Sequence, residues 1–165
     1  ENNYATMLAE FMKSTVKKDL VLITNVEHNK FYDELKEATK FDTDPRIKFV
    51  GTVYDSELLK YIRENAFGYL HGHSVGGTNP SLLEALSSTK LNLLYDVGFN
   101  REVGQDSALY WTKQDHNLAH LLEKSVNMSE AEIDNLDKKS NARIKNDYSW
   151  ELITEQYRKV FSSTI

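Results

Sequence analysis

The chain has 165 residues, 40% hydrophobic and 27% charged, which suits one soluble globular domain with a substantial core and excludes a disordered polymer. A net charge of −5 argues against nucleic acid as a polyanionic partner, and the absence of cysteine excludes a disulfide framework and a thiolate metal site. The sequence holds no apolar run near bilayer-spanning length and opens on no basic-then-apolar segment, so a cytoplasmic location is expected.

Tyr4, Met7, Leu8 and Phe11 fall at i, i+3, i+4 and i+7, the spacing of an amphipathic helix. The lysines from Lys13 to Lys18 read as its solvated end. Leu20 to Ile23 is a continuous aliphatic run, as expected of a buried parallel strand. Residues 30 to 40 read as a helix with Phe31, Leu35 and Ala38 inward. Ile47 to Val50 is a second strand, and Asp55 is the expected N-cap of a helix carrying Leu58, Leu59 and Ile62. Gly68-Tyr69-Leu70 is the third strand, Ser81 to Ser88 a helix, Leu91 to Tyr95 the fourth strand and Ala108-Leu109-Tyr110 the fifth. A helix near 115–127 places Leu118, Leu121, Leu122 and Val126 on one face. Two more helices follow, near 129–146 and from Trp150 to Phe161, with Trp150 expected as a core anchor.

Strands alternating with helices through short connections predict one α/β, Rossmann-like domain with a mostly parallel sheet flanked by helices. In such a sheet, ligands sit beyond the carboxyl ends of the strands. The glycine loop after the third strand, Gly51-Thr52-Val53-Tyr54 and the segment after Tyr95 should therefore share one edge.

The most informative stretch runs from His71 to Leu86. Gly76 and Gly77 let backbone amides approach a ligand, and Thr78-Asn79 leads into a helix whose unpaired N–H groups and positive dipole end suit a phosphate. No lysine follows the glycines and no Gly-x-Gly-x-x-Gly occurs, so neither a Walker A loop nor a dinucleotide fingerprint is present. Glu84 lies about one turn into that helix, where a carboxylate suits a pair of neighbouring sugar hydroxyls. A diphosphate cradle at Gly76, Gly77, Thr78 and Asn79 with a hydroxyl clamp at Glu84 describes a site for a nucleoside diphosphate. His71 and His73 flank Gly72 and point to one side of an extended strand. They can ligate a metal, bond to a sugar or phosphate oxygen, or pack; no third metal ligand stands nearby.

These segments resemble the C-terminal nucleotide-binding domain of retaining GT-B glycosyltransferases, in particular the bacterial rhamnosyltransferase-like branch of the family-four type. The likeness rests on the glycine loop, on Arg46-Ile47-Lys48-Phe49-Val50-Gly51-Thr52-Val53 with Asp55-Ser56-Glu57-Leu58-Leu59, on Asn100-Arg101-Glu102-Val103 as a donor-side loop, and on Tyr148-Ser149-Trp150-Glu151. Glu1-Asn2-Asn3 is similar to the tail of a segment that opens the domain, and the start at Glu1 is read as that of an excised fragment or processed product. The resemblance makes Glu84 the second acid of a Glu-x7-Glu motif; Gly76 stands where many members carry the first acid. It places Val53 and Tyr54 beside the nucleobase, and His71, His73 and Glu102 near the donor sugar.

The resemblance implies a hexosyltransferase, the C-terminal half of a GT-B fold, that moves a sugar from a nucleotide donor, dTDP-rhamnose or a UDP-sugar, to a glycan or lipid-linked acceptor in polysaccharide assembly. It implies no metal and no cofactor, a facing N-terminal domain as partner, and a full enzyme peripheral to the inner membrane face. No residue of the chain reads as nucleophile or general base. The alternative is a non-catalytic nucleotide-binding or regulatory α/β module; a response-regulator type would need more acidic residues around Asp96 and Lys90 than the sequence has.

Overall fold

The computed structural model describes residues 1–25 and 30–162. Among these, helices and strands alternate: α1 (Tyr4–Lys13), β1 (Leu20–Leu22), α2 (Lys30–Thr39), β2 (Ile47–Phe49), α3 (Ser56–Asn65), β3 (Tyr69–His71), α4 (Pro80–Ser88), β4 (Asn92–Tyr95), α5 (Gly98–Gly104) and β5 (Leu109–Trp111). Three helices close the chain: α6 (Asn117–Val126), α7 (Glu130–Asp147) and α8 (Trp150–Ser162). All pairings are parallel, β1 with β2 and β3 with β4 with β5. The α/β class holds, with one difference. Among the described residues no ladder joins β1 to β3, so the sheet is present as a two-stranded and a three-stranded portion.

β4 is the most enclosed strand, with Asn92, Leu93 and Leu94 all buried between helices. Its aliphatic run is what a strand covered on both faces requires. The core falls into three clusters. Leu82, Leu86, Leu94, Val103 and Ala108 form one, and Met7, Leu91, Leu93, Trp111 and Leu118 another. Leu8, Leu22, Leu35 and Phe41 form the third, over the two-stranded portion. Neighbouring residues of α1, Met7 and Leu8, enter different clusters, so this helix lies across both portions.

Helix starts follow their sequence signals. Asp55 accepts from the Glu57 and Leu58 amides at 2.9 and 3.1 Å, as a capping aspartate should. Ser129 and Glu132 complete a capping box at α7. Some expectations for side chains fail. Phe31 is 52% exposed and Ala38 is exposed, because α2 covers the two-stranded portion with Leu35 and Tyr32 instead. Leu58 and Val126 are also exposed. Trp150 is 79% exposed and not a core anchor, since α8 carries no buried residue. The donor-side loop expected at 100–103 is helix α5, held down by Val103 in the core and by buried Asn100.

The polar joint of the fold is Glu10. Its carboxylate is buried and accepts from the His116 and Ala119 amides at the start of α6, at 3.2 and 3.3 Å, and from Lys13 Nζ at 2.7 Å. Burial pushes its carboxyl up, but the bonds from Lys13, Ala119 and His116 outweigh that and hold it below its ordinary value. Lys13 also bonds Asp115, so the lysine run is partly engaged at its first residue. Glu10→Ala leaves two amides without their acceptor and Lys13 with Asp115 alone, and urea denaturation should show a loss of about 3 kcal/mol. A loss no larger than that of a surface Glu→Ala control would remove Glu10 from this role.

Candidate functional site

The carboxyl ends of the strands carry the residues that the sequence singled out. Gly72 and His73 leave β3 against the start of the chain. A Cβ on Gly72 would overlap the Asn2 carbonyl oxygen and stand 2.9 Å from Met7 Sδ, so only glycine permits this approach. Asn3 Nδ2 donates to the Gly72 carbonyl at 2.6 Å. The Ser74 amide and hydroxyl both donate to the Glu1 carbonyl, each at 2.9 Å. On the other side, buried Asn100 donates to the carbonyls of His73, at 3.0 Å, and Tyr95, at 2.9 Å. The root of the glycine loop is thus tied to the chain start and to the end of β4. The sequence reading missed Asn100 and Asn3 as structural ties, because a buried asparagine leaves no periodic signal.

Above that root, Val75 to Thr78 are exposed. Gly76 sits at φ +88°, which L side chains rarely adopt, and a Cβ there would stand 4.0 Å from His73 Nε2. The amides of Gly76, Gly77 and Thr78 find no partner among the described residues. The helix that follows differs from expectation. Asn79 caps α4 by accepting from the Ser81 amide at 2.9 Å, Pro80 has no N–H, and the Leu82 and Leu83 amides turn back to the Asn79 carbonyl. The cap therefore consumes the donors of the helix start. The amides left for an anion are those of the loop.

Val53, His71, His73 and Asn79 line one cavity of about 920 Å³, which also extends along β1 and β3 to Asp19 and Phe67. Glu84 projects from α4 beside it, where its Oε2 lies 2.9 Å from Nη2 of largely enclosed Arg63, itself a wall of the cavity. Arg63 is a neighbour that sequence spacing could not supply, since it comes from the far end of α3. Tyr54 is 92% exposed and stands clear of the cavity lining. Glu102 is exposed on α5, where Arg143 of α7 holds its carbonyl at 2.8 Å. Among the described residues no three His, Cys, Asp or Glu side chains gather as a metal site, and no helix is long and apolar enough to cross a membrane.

His71 is buried, its Nδ1 3.4 Å from the Tyr69 hydroxyl and its Nε2 without a partner in the chain. His73 lies close by, with ring centroids 6.2 Å apart.

No protein-family model matches the chain, and no curated protein matches it. Solved structures share its architecture. HepE of Anabaena, crystallised with UDP, superposes with a TM-score of 0.82 at 15% identity, over 98% of this chain and 45% of that one. Sucrose-phosphate synthase of Thermosynechococcus elongatus gives 0.79 at 18% identity, over 98% and 43%. The UDP-forming α,α-trehalose-phosphate synthase of Burkholderia vietnamiensis gives 0.71 at 16%, over 99% and 43%. The fold is that of a GT-B domain. Identities this low speak for the fold alone, and the GT-B domain described here spans under half the length of these neighbours.

Burial first, and then His73, pushes His71 down to about 4 from an ordinary value of 6.5. The unfolded chain takes up a proton near 6.5 while the folded chain resists until about 4, so the unfolded state holds more protons between those values. Stability should fall as pH drops through this window, by up to about 3 kcal/mol from this group. In His71→Phe the fall between pH 6.5 and 4 should flatten in parallel denaturation series, with acid loss starting only where carboxylates titrate. An unchanged slope would show that His71 is not the group responsible.

Proposed function

We propose that this chain binds the nucleoside diphosphate of a nucleotide sugar and serves as the donor half of a glycosyltransferase, with dTDP-rhamnose or a UDP-sugar as donor. The observation that carries the reading is the open run of Gly76, Gly77 and Thr78 amides at the carboxyl ends of parallel strands, with His73 beneath. Unpaired amides on a loop whose root is hydrogen-bonded in place offer donors to an arriving diphosphate with little reorganisation. The complexes of HepE with UDP and with UDP-glucose support the same ligand class for this fold.

In this reading the loop amides take the diphosphate, and they favour the charge that grows on it as the glycosidic bond to the donor breaks. Preorganised donors of this kind act most strongly where charge develops. His73, fixed by Asn2 and by its own carbonyl bond to Asn100, offers a ring nitrogen toward the loop. Glu84 takes the ribose hydroxyls, with Arg63 holding its second oxygen in line. Val53 meets the nucleobase at the cavity wall with exposed Tyr54 next to it in the chain, and Glu102 and His71 lie toward the sugar. The acceptor, a glycan or lipid-linked saccharide, is met by a facing N-terminal domain at the cytoplasmic membrane face.

Calorimetric titration with UDP, dTDP, GDP and ADP tests the reading. UDP or dTDP should bind selectively and weakly, and Glu84→Ala should reduce that affinity roughly ten- to a hundredfold, the equivalent of about 1.5–3 kcal/mol. Its melting temperature should barely move, since the half-exposed pair with Arg63 adds little to stability. Indifference to all four diphosphates at millimolar concentration would end the donor-site reading.

Sugar transfer needs donor and acceptor held together, and positioning supplies several kcal/mol of such barriers. The chain alone should therefore release no transferred sugar from radiolabelled donor, while joining it to a facing acceptor domain should give transfer that survives EDTA. A non-catalytic nucleotide-binding module would bind equally well and gain nothing from the acceptor domain. Loss of transfer on chelation would contradict the metal-free mechanism and redirect attention to His71 and His73.

A further inference from the structure

His73 lies under the glycine loop with its two ring nitrogens in different surroundings. Nδ1 is 3.0 Å from Asn2 Oδ1. An amide oxygen only accepts, so Nδ1 carries the proton of the neutral ring and Nε2 is left as a bare lone pair. Nε2 is the nitrogen toward the loop, 4.0 Å from where a Cβ on Gly76 would stand, and it bonds nothing among the described residues. Phe99 of α5 and His71 of β3 flank the ring, with centroids 6.4 and 6.2 Å away.

This arrangement holds a conflict. The loop offers only donors, the amides of Gly76, Gly77 and Thr78, which suit an anion. The neutral ring offers an acceptor, and a phosphate oxygen is an acceptor too, so the pair repels. A proton on Nε2 removes the conflict. The ring becomes a cation with two donors, one N–H going to Asn2 and the other to the anion.

We propose that the chain takes up one proton at His73 Nε2 when it binds the diphosphate of a nucleotide sugar, so that affinity at this site is governed by pH. The inference rests on the donor-site reading above and adds the protonation state in which that site works. The proton comes from solvent, and no covalent bond of the ligand changes. His71, the titratable side chain beside the ring, is held neutral by burial, down at about 4, and does not compete for the proton. Of the charged side chains nearby in the chain, Arg101 of α5 is bound to Asp96, and Glu1 meets Ser74 through its carbonyl. The change of charge therefore falls on His73. A free histidine titrates at about 6.5, and an adjacent anion draws that value up, which places the linkage near neutral pH.

The probes are UDP-glucose and dTDP-rhamnose. Both phosphates of each are esterified and keep their charge throughout, so a linked proton belongs to the protein. Calorimetric titration at about pH 7.5, in buffers of differing ionisation heat, should show uptake of up to about one proton per ligand bound. Affinity should rise on the order of tenfold between about pH 8 and 6. Glutamine reproduces the Nε2–H donor without a titrating charge, so in His73→Gln the uptake should vanish and the affinity should become flat with pH. Histidine NMR of the unliganded chain reads the tautomer directly, and at about pH 8 His73 should carry its proton on Nδ1. Binding without uptake, uptake that survives His73→Gln, or a proton on Nε2 in the free neutral ring would overturn the proposal and leave the donor site standing. Failure of both nucleotide sugars to bind at any pH would end both.

Discussion

The molecule depends on α1 acting as a clamp across a divided sheet. Among the described residues no backbone ladder joins β1 and β2 to β3, β4 and β5, so they are connected by side-chain packing on α1, with Arg63 of α3 tied to Glu84 and Thr89 as a second link. Met7 enters the cluster under β4 and β5, Leu8 the cluster under β1, and Tyr4 packs against both. Glu10 then fixes the helix in rotation by capping α6, and Arg46 fixes its far end through the Ser14 and Val16 carbonyls at 3.0 and 2.6 Å. A carboxylate and a guanidinium perform the alignment that strand pairing usually performs.

The same clamp positions the site. Because α1 starts at the carboxyl edge, Asn2, Asn3 and Glu1 become the floor on which the β3 loop is built. The loop's lower part is tied by the Gly72 and His73 carbonyls and by Ser74, and its upper part carries unpaired amides, so rigidity and binding capacity are divided between adjacent residues. That division suits an anion site, where donors must be held in place without being satisfied. The helix behind contributes less than its position suggests, since Asn79 and Pro80 quiet its first turn. Only the loop backbone remains to meet a ligand.

Much was legible from local pattern. Element order, parallel character, the Asp55 cap, the entry of α4 at Pro80 and the convergence of loops on one edge all follow from periodicity, turn residues and short connections. These are properties of neighbours in sequence, and the alternation of strand and helix leaves few topologies open. The left-handed turn at Gly76 was legible too, because a glycine pair between strand and helix is a local demand.

What only the tertiary structure decided are relations between distant residues. Glu84 meets Arg63 from another helix, Asn100 reaches back to His73, and Gly72 is a glycine because Asn2 crosses above it. Residues 100–103 became helix because Val103 had a core to enter, while Trp150 stayed in solvent because nothing packs on α8. Burial is set by what lies across the fold, and a linear pattern carries no record of that. The sequence by itself determined which segments form and which edge they converge on; the packing of α1 across the divided sheet decided which polar groups are tied off and which stay open.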